Sequence, residues 1–251
     1  MSRGRSGKPR RAAPKASRQA PRRALVLVFG ESQHDRGAIV ELTTGLRPDF
    51  AGHIEARRTP LVLIKKASLE TARSNATDIA KLVRQEAAAR DVVAVLAHED
   101  CDALEPAHVA AAAKIERALE EAGCPSTPIA VTPAWELEAW WLVFPEAVAA
   151  VTTGWRTPSG WIGRDIGQLA NAKEELTRAV RSPKAKANAR AYHEADSIEI
   201  AQGIVKQRLL DSFDGDYRQT PGKGVAVART KSASFGAFRR KVLALPSHQP
   251  R

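Results

Sequence analysis

The sequence predicts an α/β protein: a roughly four-stranded, mainly parallel sheet flanked by helices, with a helical C-terminal extension. Two observations carry this. Short continuous apolar runs recur at ALVLVFG (24–30), LVLIKK (61–66), DVVAVLA (91–97) and PIAVTPA (128–134). Such runs, apolar on every residue rather than every second one, are what strands buried on both faces require. Between them lie longer stretches of helical character, each joined by a short polar turn, and strand–helix alternation is the signature of parallel βαβ units.

The first helix follows strand one, with Ile39, Leu42 and Leu46 near one face and Gly45 and Pro48 marking its end. The second is SLETARSNATDIAKLVRQEAAAR (68–90), with Ser68 as a capping residue and Thr71 or Asn75 as competitors. The third is EPAHVAAAAKIERALEEAG (105–123), with Pro106 in its first turn and Gly123 after its end. WELEAWWLVFPEAVAAV (135–151) is a fourth helical segment, restarted at Pro145. Residues 152–162 read as a loop, and helices are expected at about 164–181, 189–213 and 232–244, with DSFDGDYRQTPGKG (211–224) as a loop. The expected organisation is a disordered basic tail (1–23), an α/β core (24–151) and a helical basic extension packed on that core (152–251).

The 251 residues carry a net charge of +11, unevenly placed. Residues 1–23 hold nine Lys/Arg and no acid; residues 24–172 hold 14 basic and 20 acidic side chains; residues 173–251 hold 16 basic and 8 acidic. Basic flanks around an acidic middle suit a carboxylate site held against a polyanion, and equally suit a solvated tail with ordinary surface helices. No run of eighteen apolar residues is present, so no membrane helix is expected. The basic leader has no apolar stretch, so no secretory signal is expected. Cys101 and Cys124 are too few for a disulfide framework, which fits a reducing cytoplasm.

Parallel sheets bind ligands outside the C-terminal ends of their strands, so the residues after strands one and three matter most. Strand three runs into HEDCDA, placing Asp100 and Asp102 two apart. On an extended backbone both side chains point the same way. Two carboxylates so close repel, and a hard divalent cation relieves the repulsion. Glu31 follows strand one and can join them. Glu138 is a further candidate: either a fourth carboxylate or, with Glu136, a helix-start acid interacting with the dipole. His98 and Glu99 adjoin the pair and either can touch the site, although residues of opposite pleat parity usually face away from it. Asp35 is expected to stabilise the first helix turn. Trp135, Trp140 and Trp141 are expected in the core. His34, His53, His108 and His193 show no zinc-ligand spacing. GKG (222–224) lacks the spacing and preceding strand of a P-loop. Lys184, Lys186, Arg190, Lys223, Arg229, Lys231, Arg239 and Arg240 form the candidate phosphate-contacting group.

These acidic elements resemble the Toprim fold of topoisomerases, bacterial primases and overcoming-lysogenization-defect nucleases. There a first strand ends in Glu-Gly-x-x-Asp and a later one in Asp-x-Asp. Here Glu31-Ser32-Gln33-His34-Asp35 is similar to the first, with Ser32 where glycine is usual, and Asp100-Cys101-Asp102 is similar to the second. The stretch TPAWELEAWWL and the SASFGAF around Phe235 and Phe238 resemble a Toprim-like group, the domain of unknown function family 4276. The resemblance implies a Mg²⁺-dependent (or Mn²⁺-dependent) phosphodiesterase or nuclease acting on DNA or RNA. Asp100 and Asp102 would hold the metal, and Glu31 would be a ligand or the general acid/base. It also implies a role in anti-phage defence beside a separate ATPase. Ser32 keeps a second expectation open: a non-catalytic Toprim-like module that binds nucleic acid or protein.

Overall fold

A computed structural model of the protein describes residues 23–58, 64–65, 67–181, 190–220 and 227–247. Strands β1 (Ala24–Phe29), β2 (Ile54–Ala56), β3 (Asp91–His98) and β4 (Thr127–Val131) form one sheet in the order β2-β1-β3-β4, with every neighbouring pair parallel. All six residues of β1 are buried. Ala24, Val26 and Val28 face one side, while Leu25, Leu27 and Phe29 face the other. A central strand covered on both faces has no solvent side to encode, hence the unbroken apolar run.

Helices α2 (Leu69–Ala87) and α3 (Ala107–Glu121) cover one face, burying Ile79, Val83, Ile115 and Leu119 against Leu27 and Phe29. Ser68 caps α2, its Oγ accepting from Thr71 N at 3.2 Å. The other face packs against α1 (Gln33–Leu46) and against α4 (Glu138–Trp141), α5 (Pro145–Ala150), α6 (Ala172–Val180), α7 (Asp196–Lys206) and α8 (Ala233–Leu243). The C-terminal half therefore belongs to the core of the sheet itself. Trp140 lies edge-on to Phe235 and stacked on Phe238, each at 5.1 Å between centroids. Its indole N–H and that of Trp141 donate to Ser234 and Ser197, each at 3.1 Å. Each ring pair adds about 0.5–1.5 kcal/mol beyond its area, and the serines spare the buried indoles an unmade hydrogen bond.

Two expectations are corrected. The second strand of the sheet is Ile54–Ala56; within 61–66, Ile64 and Lys65 lie in a turn and the other four residues are outside the described set. The stretch at 211–224 is not a loop throughout. Strands β5 (Phe213–Asp214), β6 (Tyr217–Thr220) and β7 (Ala228–Lys231) form a small antiparallel sheet. The β5–β6 hairpin turns at Gly215, whose φ of 57° only glycine adopts freely. No helix among the described residues is long and apolar enough to cross a membrane.

Candidate active site

Phe29 of β1 pairs with Ala97 of β3, so Gly30 and Glu31 leave the sheet beside His98 and Glu99. The approach is close: a Cβ on Gly30 would stand 3.2 Å from His98 Cβ and 3.1 Å from Arg36 Cγ. Arg36, buried in the first turn of α1, donates to Gly30 O at 2.8 Å and fixes the end of β1. Ser32 is the N-cap of α1, in an extended conformation (φ −114°) that needs no glycine. Its Oγ accepts from Asp35 N at 3.1 Å, and Asp35 Oδ2 accepts from Ser32 N at 3.2 Å. This capping box gives Asp35 its expected structural role.

On β3 the pairing shifts between Leu25 and Val26, so that Val92 and Ala94 are their partners. Beyond this irregularity the pleat runs regularly, and His98 and Asp100 share one face. His98 is fully buried, its Nε2 3.3 Å from Asp100 Oδ1 and its Nδ1 4.0 Å from Asp35 Oδ2. Neither ring nitrogen makes an aligned hydrogen bond among the described residues, so the attraction is one of charge. Burial opposes a positive imidazole, but the contact with Asp100 and then the charges of Asp35 and Glu31 outweigh it and raise the pKa of His98. The expectation that His98 faces away is corrected, because residues at i and i+2 share a face. Glu99 does face the other side, where its Oε2 accepts from Lys65 N at 2.7 Å.

The expected alignment of Asp100 with Asp102 does not hold. β3 ends at His98, and Asp102 adopts a left-handed backbone, φ 50°. It answers a second left-handed residue, Trp135 (φ 61°), through Asp102 N→Trp135 O and Trp135 N→Ala103 O, both 2.9 Å. Non-glycine residues in this region each cost about 1–3 kcal/mol and cluster where function holds them. The Asp102 carboxylate, half-exposed, lies 3.9 Å from Lys65 Nζ. That ammonium donates to Asp100 O at 2.6 Å and also to Cys101 O, clamping the turn. Asp100 points the opposite way, its Oδ1 accepting from Leu137 N at 3.1 Å.

That bond brings α4 against Asp100. Glu138 is buried, and its Oε1 accepts from Tyr192 OH at 2.9 Å. Burial pushes the Glu138 pKa up to about 7, with the Asp100 charge adding to the rise. Glu136, half-buried, accepts from Lys173 N at 3.0 Å; burial foremost raises its pKa as well. His98 thus stands between Asp100 at its Nε2 and Asp35 at its Nδ1, with Glu31 acting on it by charge, while Asp100 also acts by charge on Glu136 and Glu138. Among the described residues no group of three His, Cys, Asp or Glu side chains is arranged to hold a metal ion.

Of the candidate phosphate-contacting residues, Lys184, Lys186 and Lys223 lie outside the described residues. Arg190 pairs with Asp196, Arg229 with Asp214 at 3.6 Å, Lys231 with Asp165 at 2.9 Å and Arg240 with Asp216. The Nε of Arg239 is buried without a hydrogen bond among the described residues. Sequence reasoning missed Lys65 and Tyr192, which reach the site from distant segments, and Arg36, which turns back from α1 onto Gly30; none carries a local motif. Comparisons with protein-family models, curated proteins and solved structures returned no match to the chain.

Proposed function

We propose that the protein is a Toprim-like phosphodiesterase that cleaves nucleic acid at the C-terminal edge of its parallel sheet, with Mg²⁺ or Mn²⁺. The observation carrying this is the juxtaposition after β3 of Asp100, held by Leu137 N, and the neighbouring buried Glu138, whose pKa is pushed up to about 7, near the end of β1 where Glu31 emerges. A carboxyl whose buried environment raises its pKa toward neutrality can hold and pass on a proton. The donors are hard carboxylate oxygens, which suit Mg²⁺ and Mn²⁺ rather than zinc. Mg²⁺ takes one or two protein carboxylates and completes its shell with water and substrate phosphate oxygens.

Asp100, with Glu31, would hold the ion, which when bound polarises a phosphoryl oxygen. The chain's own residues prepare the rest. Glu138 retains a proton near neutral pH, and Tyr192 OH fixes its orientation by donating to Oε1. His98 offsets the charge of Asp100, Asp35 and Glu31 and keeps the carboxylates from repelling each other apart. Lys65 clamps the carbonyls of Asp100 and Cys101, fixing the turn from which Asp100 projects.

Labelled plasmid and tRNA incubated with Mg²⁺, Mn²⁺ or EDTA test the reading. Cleavage is expected with metal only, and Asp100→Asn should reduce it by at least about 100-fold, as loss of a transition-state contact does. Asp102→Asn should cost less, because that carboxylate faces Lys65. One observation favours a non-catalytic module instead: among the described residues no three His, Cys, Asp or Glu side chains converge. That reading predicts nucleic-acid binding by wild type and Asp100→Asn alike, with cleavage by neither.

A further inference from the structure

On the sheet face away from the C-terminal helices, α2 and α3 enclose an open groove of about 700 Å³. Its floor is apolar, formed by Ile64, Ala72 and Ala118, and Leu69 stands at its head with 73% of its surface exposed. Three cations line it: Arg73 from α2, and Lys114 and Arg117 from α3. Glu121 is the one acid among its lining residues. Lys114 and Arg117, three apart on one helix, present to the same side. Among the described residues, none of the three cations is held in an ion pair, unlike four of the C-terminal basic residues named above.

The groove is also tied to the candidate site. Lys114 Nζ donates to Lys65 O at 2.7 Å, and Lys65 in turn clamps the carbonyl of Asp100. Lys65, next to the groove-lining Ile64, therefore links the groove to the turn that carries Asp100 and Asp102.

We infer that the α2/α3 groove binds single-stranded nucleic acid and leads it to the Asp100 turn. The inference rests on the nucleic-acid reading of that site and names the surface that holds the substrate. Cations along a groove track a phosphate backbone, while an apolar floor takes base surface without reading sequence. With alanine and isoleucine in place of aromatic rings, the floor supplies contact but no stacking, so little base preference is expected.

Fluorescence anisotropy of a labelled 20-nucleotide oligo(dT) tests this, with the full chain in EDTA over a series of KCl concentrations. Arg73→Glu/Arg117→Glu should bind at least about tenfold more weakly, and its salt slope should fall by about 1.4, at about 0.7 per lost phosphate contact on a single strand. Arg229→Glu/Arg240→Glu should stay within about twofold of wild type, since these cations are already paired. Both groove positions are exposed; circular dichroism confirms folding, and Arg117→Gln provides a milder change in the same direction. Unchanged affinity and slope in the groove variants overturn the inference, as does a preference for duplex over oligo(dT). Polyglutamate that binds the groove more tightly than oligo(dT) also overturns it, in favour of an acidic protein segment. Cleavage that survives Asp100→Asn overturns the catalytic reading alone. Normal binding by groove variants, with cleavage lost in Asp100→Asn, overturns the groove alone.

Discussion

Glu138→Gln keeps the shape of the side chain and removes its ionisation. In the folded protein, burial holds this carboxyl at about 7 against an ordinary value of 4.5, a gap of about 2.5 pH units. At about 1.36 kcal/mol per unit, ionised Glu138 lowers folded-state stability by about 3 kcal/mol. The sign follows from proton linkage. Below pH 4.5 the group is protonated in both folded and unfolded chains, so nothing is lost. Between 4.5 and 7 the unfolded chain ionises first, and stability falls as pH rises. Above 7 the loss is complete. The glutamine variant should therefore match wild type near pH 4 and exceed it by about 3 kcal/mol at pH 8. Guanidinium unfolding at each pH, followed by tryptophan fluorescence, reads the difference, with the buried indoles of Trp140 and Trp141 as reporters. The other titratable groups are common to both proteins and largely cancel. A difference that stays flat from pH 4 to 8, or a variant less stable at pH 8, would refute the assignment of Glu138 as a carboxyl kept protonated by burial.

Two further outcomes follow from the same geometry. Glu105 accepts from Ala233 N at 3.1 Å and Ser234 N at 2.7 Å, tying the loop after Asp102 to the start of α8. Glu105→Ala leaves one buried and one part-buried amide without partners and should cost about 3 kcal/mol in denaturant unfolding; a loss below about 1 kcal/mol would contradict this capping role. His98 has a pKa raised above 6.5, so its stabilising charge is fully present below pH 6.5 and is lost as pH rises through the higher folded value. The stability advantage of wild type over His98→Gln should therefore shrink with rising pH above 6.5; an advantage independent of pH would show that the imidazolium is not held by Asp100, Asp35 and Glu31.

Strands β1, β3 and β4 were legible because burial on both faces writes an unbroken apolar run. β2 was not: three residues, Ile54–Ala56, none of them fully buried, leave no such run, and the nearby apolar LVL drew the assignment instead. The β5–β6 hairpin carried a usable signal in Gly215-Asp216, a two-residue turn of the glycine-first kind. The C-terminal helices showed in their periodicity, but not their place in the central core, since a helix's apolar face does not name its partner. At the site, Asp100 was legible from its position after an apolar strand, and His98 from its spacing of two from Asp100. The direction of Asp102 was not, because the extended backbone that aligns His98 with Asp100 gives way to a left-handed one at Asp102. The reach of Lys65 and the burial of Glu138 against Tyr192 are tertiary facts, set by segments distant in the chain.

The central claim is that the working carboxylate of the strand edge is Asp100, turned toward α4, and not the Asp100–Asp102 pair acting together. Anomalous scattering from Mn²⁺, in crystals containing Mn²⁺ and a short single-stranded oligonucleotide, tests it most directly. The account predicts a peak within about 2.2 Å of an Asp100 carboxylate oxygen, completed by phosphate and water oxygens. A peak ligated by Asp102 and not by Asp100, or none at the tips of β1 and β3, would contradict it.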